Sequence, residues 1–141
     1  MEAPRPLKHF ADEDYRLLAT WRYALRRFLQ FSERAAAQLG VTAQQYQTLL
    51  AIRGFPGRTR VTVGELAERM CIQHHSAVGL VDRLVNRDLV RRVASRGDRR
   101  HVFVELTAHG ERVLEELATI HRAELRRLQP ELFAFITAIE E

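Results

Sequence analysis

The chain has 141 residues, a length that fits one compact domain with a single hydrophobic core. Hydrophobic residues make up 46% and charged residues 28%, an ordinary globular composition, and no apolar run approaches the roughly 20 residues of a membrane-spanning helix. The first ten residues contain no apolar signal segment, and the single cysteine, Cys71, excludes an internal disulfide. We therefore expect a cytoplasmic protein without membrane contact.

The positive charge of the chain is concentrated in one segment. Seven arginines and two aspartates lie between Arg83 and Arg100, so this segment carries a net charge of +5, whereas the whole chain carries +4. The remainder is therefore close to neutral. A local basic surface is typical of a polyanion site, because each phosphate contact releases condensed counterions.

Two helices are predicted in the first third of the chain. Apolar residues recur at three- and four-residue steps over residues 12–39, and Gly40 is a stop signal. A second helix is predicted to start at Thr42, which forms a capping-box pattern with Gln45. Its end is predicted at the glycine- and proline-containing turn 54–57.

The same start signal opens a helix-turn-helix. Thr62 and Glu65 form a second capping-box pattern before a short helix at about 63–70, and after a turn at 71–73 another helical pattern extends to about Arg87. The outer face of this second helix is polar. Its predicted buried stripe comprises Ala77, Val78, Val81, Leu84 and Val85.

Two strand-like segments and a long helix complete the chain. Residues 90–94 and 101–106 are predicted to form a hairpin with a turn around Gly97, and a hairpin after a helix-turn-helix is a wing. Thr107 can cap the last helix. Pro130 is expected either to break this helix or to start another segment. The final residues are strongly apolar, so we expect another surface to cover them. The predicted fold class is mainly α with a small β-hairpin wing.

The candidate interface for DNA combines the second helix of the helix-turn-helix with the hairpin. Such a helix fits the major groove, where its N-terminal residues meet base edges and arginines further along contact phosphates. An arginine at the hairpin tip can enter the adjacent minor groove, and Asp98 is expected to hold Arg99 or Arg100 by a charge-assisted hydrogen bond. The candidate DNA-binding residues are Gln73, His74, His75, Ser76, Gly79, Arg83, Arg87, Arg96, Asp98, Arg99 and Arg100. Gly79 permits close approach either to DNA or to another helix, and the sequence does not decide between them.

Other kinds of site have little support in the sequence. The six histidines and Cys71 lack metal-ligand spacing, and no nucleophile motif or phosphate-binding glycine loop indicates an enzyme, so we expect neither metal nor cofactor. Cys71 is expected to be a small packed residue rather than a redox sensor. Four aromatic residues either line an effector pocket or belong to the core, which is the favoured interpretation: Trp21, Phe28, Phe31 and Tyr46.

The order of these parts resembles the multiple-antibiotic-resistance regulator (MarR) family of bacterial transcription factors. The resemblance is carried by LAER at 66–69, Ser76, LVDRL at 80–84, DRR at 98–100 and VELTAHG at 104–110. The chain departs from the family at three positions. Cys71 stands where glycine is common in the turn, Gln73 replaces a small hydroxyl cap, and Gly79 occupies a position that is often polar or basic.

The resemblance implies a winged helix-turn-helix in a single domain over 1–141. It assigns 42–106 to a DNA-binding lobe, and 12–40 and 107–141 to helices that interlock in a homodimer. Such a dimer binds a pseudo-palindromic operator in double-stranded DNA, often as a repressor that a small aromatic effector releases. A second class of function stays open, in which the same arginines bind an acidic protein without contacting DNA.

Overall fold

The computed structural model describes residues 10–95, Gly97 and 101–140. Within these residues the chain forms five helices and three strands. In chain order they are α1 (Asp12–Gln38), α2 (Ala43–Arg53), β1 (Arg60–Thr62), α3 (Val63–Met70), α4 (His74–Asn86), β2 (Val90–Ala94), β3 (Val102–Leu106) and α5 (Ala108–Glu140). The predicted fold class is confirmed. None of the helices in the described part is both long and apolar enough to cross a membrane.

The strands form one antiparallel sheet in the order β1-β3-β2. β2 and β3 are the predicted hairpin, with Val90 opposite Leu106. β1 was not predicted; it pairs with the other edge of β3 and places Val61 opposite Val104. A strand of three residues is too short to show the alternation of apolar and polar residues by which strands are recognised in a sequence.

Both predicted capping boxes are present. Thr42 Oγ1 accepts from the Gln45 N–H at 3.0 Å while Gln45 Oε1 accepts from the Thr42 N–H at 3.0 Å. The equivalent bonds between Thr62 and Glu65 are 2.9 and 3.2 Å long. Burial alone would raise the pKa of Glu65, but hydrogen bonding with the Thr62 backbone and side chain, together with Arg58, lowers it. The two caps therefore fix where α2 and α3 begin.

The core lies where α2, α3, α4 and the sheet meet, and it continues between α1 and α5. The apolar residues just outside the caps belong to it: Val41 and Tyr46 flank the cap of α2, and Val61 and Leu66 flank that of α3. Its largest fully buried apolar side chains include Leu49, Ile52, Leu66, Leu80, Leu84, Leu89 and Leu117.

A buried histidine joins α5 to α1 and α2. His121 Nδ1 lies 2.7 Å from the Leu117 carbonyl oxygen, which can only accept, so Nδ1 carries a proton. Nε2 lies 2.9 Å from Ser32 Oγ on α1. The Tyr46 ring of α2 stacks on the imidazole with 4.3 Å between ring centroids, and burial raises the pKa of Tyr46. His121 was considered only as one of six possible metal ligands, so this junction was not predicted.

The expectation that Pro130 ends or restarts a helix is wrong, because α5 runs through it to Glu140. Proline removes the hydrogen bond to the carbonyl of Arg126, four residues earlier. Both residues are exposed, so water can donate to that carbonyl in place of the missing N–H.

The start of α5 is held tightly against the backbone that follows α4. Thr107 caps α5 as predicted: its Oγ1 accepts from the Gly110 N–H at 3.0 Å and donates to the Asp88 carbonyl at 2.6 Å. The Thr107 N–H donates to the Leu89 carbonyl at 3.1 Å. A Cβ at Gly110 would lie 2.0 Å from the Leu89 carbonyl oxygen, so only glycine fits there.

Gly110→Ala is therefore expected to lower the free energy of unfolding by about 1–3 kcal/mol, because the new methyl must displace the Leu89 backbone and helix propensity returns at most about 1 kcal/mol. Gly64→Ala in α3 is the matched control, since among the described residues its Cβ would come within 4 Å of Thr62 Oγ1 alone, at 3.9 Å. Urea denaturation of both variants at one protein concentration measures the difference. Equal stability of the two would contradict the steric role of Gly110.

Candidate nucleic-acid interface

The turn between α3 and α4 contains a residue in the left-handed conformation. Cys71 has φ 55° and ψ 42°, its N–H donates to the Glu68 carbonyl at 3.1 Å, and the Ile72 N–H donates to the Ala67 carbonyl at 3.0 Å. The cysteine side chain is exposed, so the expectation that it packs in the core is wrong. Cys71 is the C-cap that ends α3, in a left-handed conformation that glycine would adopt without steric cost.

α4 begins without a side-chain cap. Gln73 is the N-cap in extended conformation, and within the described residues its side chain makes no capping hydrogen bond, as the missing hydroxyl led us to expect. The first N–H groups of a helix have no partner inside it, and the helix dipole makes this end attractive to anions. His74, His75 and Ser76 are exposed in this first turn. The first turn is therefore open to a polar or anionic partner.

The buried face of α4 differs from the prediction at two positions: Val78 is exposed, and Leu80, which was not predicted to be buried, belongs to the core. Ala77, Leu80, Val81 and Leu84 are buried, whereas Val78 is 36% exposed and was wrongly assigned to the buried stripe. Successive helical residues are rotated by about 100°, so Val78 falls outside the arc that the four buried residues share. Leu80 lies inside that arc and contributes to the core.

The opposite face of α4 brings together most of the candidate residues on this helix. His75 and Arg83 are exposed and Gly79 is half-buried. A Cβ at Gly79 would come within 4 Å of only Arg83 Nη1, at 3.5 Å. Of the two interpretations of Gly79, contact with another helix is therefore not observed within the described part of the chain.

Carboxylates pair with the arginines of the first wing strand. Asp82 on α4 forms an ion pair with Arg92 on β2, which links the helix to the wing. Across the hairpin, Arg91 Nε donates to Glu105 Oε1 at 2.8 Å. Arg83 of α4 and Arg87 at its C-cap are not paired in this way. Among residues 10–95, 97 and 101–140, no carboxylate lies within ion-pair distance of either arginine.

Most of the hairpin tip lies outside the described residues. At its base the Ser95 N–H donates to the His101 carbonyl at 3.1 Å, and Gly97 has φ +102°, as a glycine turn requires. The other candidate residues of the wing are not among those described, and their contacts remain predictions: Arg96, Asp98, Arg99 and Arg100.

A cluster of arginines and aromatic rings on the outer face of the sheet was not predicted. The Arg58 guanidinium carbon lies 4.7 Å from the Phe55 ring centroid and 5.6 Å from that of Phe103, and that of Arg60 lies 5.1 Å from Phe103. Arg58 also pairs with Glu65. The two arginines thus cover the half-buried Phe103 ring. Each exposed cation–π contact contributes about 0.5–1 kcal/mol.

A cavity of about 540 Å³ lies between α1 and α5. Of the four aromatic residues considered for an effector pocket, Phe28 and Phe31 line it. Tyr46 is buried in the core, and Trp21 stacks on Phe135 with 4.9 Å between ring centroids. Within the residues the structure describes, no three His, Cys, Asp or Glu side chains are grouped to hold a metal ion.

The rim of this cavity is charged. Among the described residues, five charged ones line it: Arg27 and Arg34 of α1, and Glu124, Arg127 and Glu131 of α5. Arg127 Nε donates to Glu124 Oε2 at 3.1 Å, and this hydrogen bond lowers the pKa of Glu124. The cavity therefore combines aromatic walls with arginines, a combination suited to an aromatic molecule that carries a negative charge.

Comparison with known proteins identifies the kind of protein. Residues 39–101 match the MarR family. The chain is 29% identical over 122 residues to the HTH-type transcriptional regulator YsmB of Bacillus subtilis, covering 86% of this chain and 79% of YsmB. It is 31% identical over 96 residues to the HTH-type transcriptional repressor NicR of Pseudomonas putida, covering 68% of this chain but 59% of NicR.

A solved structure agrees with these sequence matches. AbsC, a MarR family transcriptional regulator from Streptomyces coelicolor, superposes with a TM-score of 0.74 at 25% identity, covering 89% of this chain and 84% of AbsC. The fold and these similarities define a DNA-binding transcriptional regulator of the winged helix-turn-helix class, and not an enzyme. The chain is thus similar to MarR family regulators over most of its length.

Proposed function

We propose that the chain is a homodimeric repressor that binds a pseudo-palindromic operator and that a small aromatic effector releases it. The observation that carries the proposal is the exposed surface of α4, where an uncapped helix start is followed by Arg83 on the outer face and by Arg87 at the C-cap, beside Gly40. No carboxylate among the described residues neutralises either arginine. NicR, to which the chain is similar, is a transcriptional repressor, which supports the direction of regulation.

In the proposed complex, α4 lies in the major groove. Gln73 at its start can pair with adenine, and His74, His75 and Ser76 reach base edges or phosphates from the first turn. The arginines at its far end contact the phosphate backbone, and the wing arginines reach the flanking minor groove. Two such helices in a two-fold dimer require half-sites separated by about 34–36 Å or a multiple of it.

The dimer is supported by apolar side chains that α1 and α5 leave uncovered. Phe133, Ile136 and Ile139 near the end of α5 are 71%, 54% and 58% exposed, and Tyr15 and Leu18 on α1 are 62% and 46% exposed. Isolated apolar residues are normal on a surface, but so many on two long helices are typical of a protein interface. We assign this surface to a second copy of the chain.

The proposed effector site is the cavity between α1 and α5. Two of its walls, Phe28 and Phe31, also contact the His121 ring edge-on, with centroid distances of 6.0 and 5.6 Å. His121 in turn stacks on Tyr46 of the DNA-binding lobe. A ligand between the long helices therefore touches Phe28 and Phe31, which reach α2 through one intermediate residue, His121. It weakens DNA binding only if it prefers the dimer geometry in which the two α4 helices do not match the operator.

The DNA contacts are tested by the salt dependence of binding to the DNA that flanks the gene, with excess non-specific competitor present. The logarithm of affinity is expected to fall linearly with the logarithm of salt concentration. The slope should drop by about one in each of four variants, Arg83→Ala, Arg87→Ala, Arg99→Ala and Arg100→Ala, because each substitution removes one arginine from a phosphate. Arg126→Ala on α5 is the control and should leave the slope unchanged. Binding that competitor abolishes would favour the acidic-protein partner, and unchanged affinity in both wing variants would contradict the wing assignment.

Gly79→Ala separates stability from recognition. Alanine should stabilise α4 by up to about 1 kcal/mol, since the new Cβ makes only an ordinary contact with Arg83. Specific DNA affinity should nevertheless fall, by about tenfold if the methyl displaces one bidentate base contact. Thermal unfolding and operator titration measure the two effects, and a variant that gains stability with unchanged affinity would show that Gly79 does not approach the DNA.

The double substitution Phe133→Asp and Ile136→Asp should dissociate the dimer, because it places two charges in an interface that we propose to be apolar. Gln129→Asp adds a charge to the same helix at an exposed polar position and should remain dimeric. Light scattering after size-exclusion chromatography gives the mass of each variant. A double variant with the mass of a dimer would refute the assignment of this surface.

Effector binding is tested with benzoate and phenol added to the protein–DNA complex. Benzoate should weaken binding of the unmodified protein, and Arg34→Ala should reduce its effect because the carboxylate loses a cation at the cavity rim. Arg112→Ala, an exposed arginine of α5 outside this cavity, is the control. An equal response of all three proteins would exclude the cavity as the site of benzoate action.

A further inference from the structure

α4, the helix that we propose to bind in the major groove, exposes one apolar side chain. Val78 is 36% exposed, whereas Ala77, Leu80, Val81 and Leu84 of the same helix are buried. A single exposed valine is ordinary on a protein surface, so exposure alone assigns it no role. Its position on the helix and the chemistry of its neighbours are more informative.

Val78 is the fifth residue of α4, in the half of the helix that meets base edges when a helix-turn-helix binds DNA. It lies one turn after His74 and one turn before Asp82, and three residues after His75, so all three are its neighbours on the helix surface. Arg83 follows in the second half, where phosphate contact is expected. The valine is therefore placed among base-reading positions.

The surface around Val78 carries little unbalanced charge. The Asp82 carboxylate is paired through Oδ1 with Arg92 of the wing strand, which offsets its repulsion of phosphates. On the other side, Gly79 has no side chain, and within the described residues a Cβ there would meet only the end of Arg83. Neither neighbour separates the valine from a partner lying along the helix.

An apolar side chain recognises one group in the major groove. The edges of guanine, cytosine and adenine present donors and acceptors, and covering these with valine would leave them unpaired. Only thymine presents an apolar group, its C5-methyl. We propose that Val78 contacts the C5-methyl of one thymine in each half-site and so determines that base. This inference rests on the proposed binding of α4 in the major groove.

The experiment uses full-length protein and its preferred site, obtained by in vitro selection from random DNA. Each thymine of that site is then replaced by uracil, which lacks only the C5-methyl. Loss of a buried methyl weakens binding about fourfold. We expect one position per half-site at which uracil weakens binding by this factor, and no further weakening there when Val78→Ala is combined with uracil.

Two control variants test whether the effect is specific to the apolar side chain at position 78. Leu50→Ala removes a 45% exposed apolar side chain from α2 and should retain the full response to uracil. Val78→Thr keeps the shape but replaces one of the two γ-methyl groups with a hydroxyl, and should reduce the discrimination between thymine and uracil. Circular dichroism verifies that each variant is folded, which the exposure of both positions favours.

The outcomes separate this inference from the proposed function. If the protein selects a specific site but no thymine responds to uracil, or if Val78→Ala responds as fully as the unmodified protein, the role of Val78 is overturned while sequence-specific binding stands. If selection yields no specific site, the proposed function itself fails, and the inference fails with it.

Discussion

The structure depends on one close backbone contact, that of Gly110 with the Leu89 carbonyl. The chain leaves α4 at Asp88, which has φ +57°, forms the hairpin, and returns beside its starting point, where Thr107 bonds to both Asp88 and Leu89. This closes the base of the wing and starts α5 at the same place. This contact therefore sets the relative orientations of α4, the wing and α5, because any side chain at Gly110 would push the start of α5 away from the Leu89 backbone.

From that contact α5 extends to a second junction, at His121. Ser32 and His121 are 89 residues apart in the chain, and their hydrogen bond, with the stacked Tyr46 ring, brings α1, α2 and α5 together. A change in how the long helices pack is therefore transmitted to α2 by direct contact. Coupling between the proposed effector site and DNA would require a second packing of the long helices, and this junction is the contact through which α2 would follow it.

Whether the sequence predicted a feature of the fold depended largely on how close together in the chain the residues that produce that feature lie. The capping boxes at Thr42 and Thr62 were confirmed because each is encoded within four residues. The prediction at Pro130 failed because local propensity was overridden in an exposed helix that could tolerate a missing hydrogen bond. His121 was missed because its partners are remote in sequence, and β1 because three residues show no period. Val78 was misplaced because its apolar character, and not the rotation of the helix, was used to assign it to the core.

Pairing with carboxylates refines the charge pattern of the sequence. The net charge of +5 between residues 83 and 100 indicated a basic surface, but it counted arginines that the fold engages with carboxylates. Arg91 pairs with Glu105 and Arg92 with Asp82, and both carboxylates lie outside that segment. Exposed ion pairs contribute little stability, about 0–1 kcal/mol, so their main effect is to neutralise and orient. In the described part of this segment, the unpaired positive charge is thereby confined to α4 and its C-terminus, the surface that we propose to bind DNA.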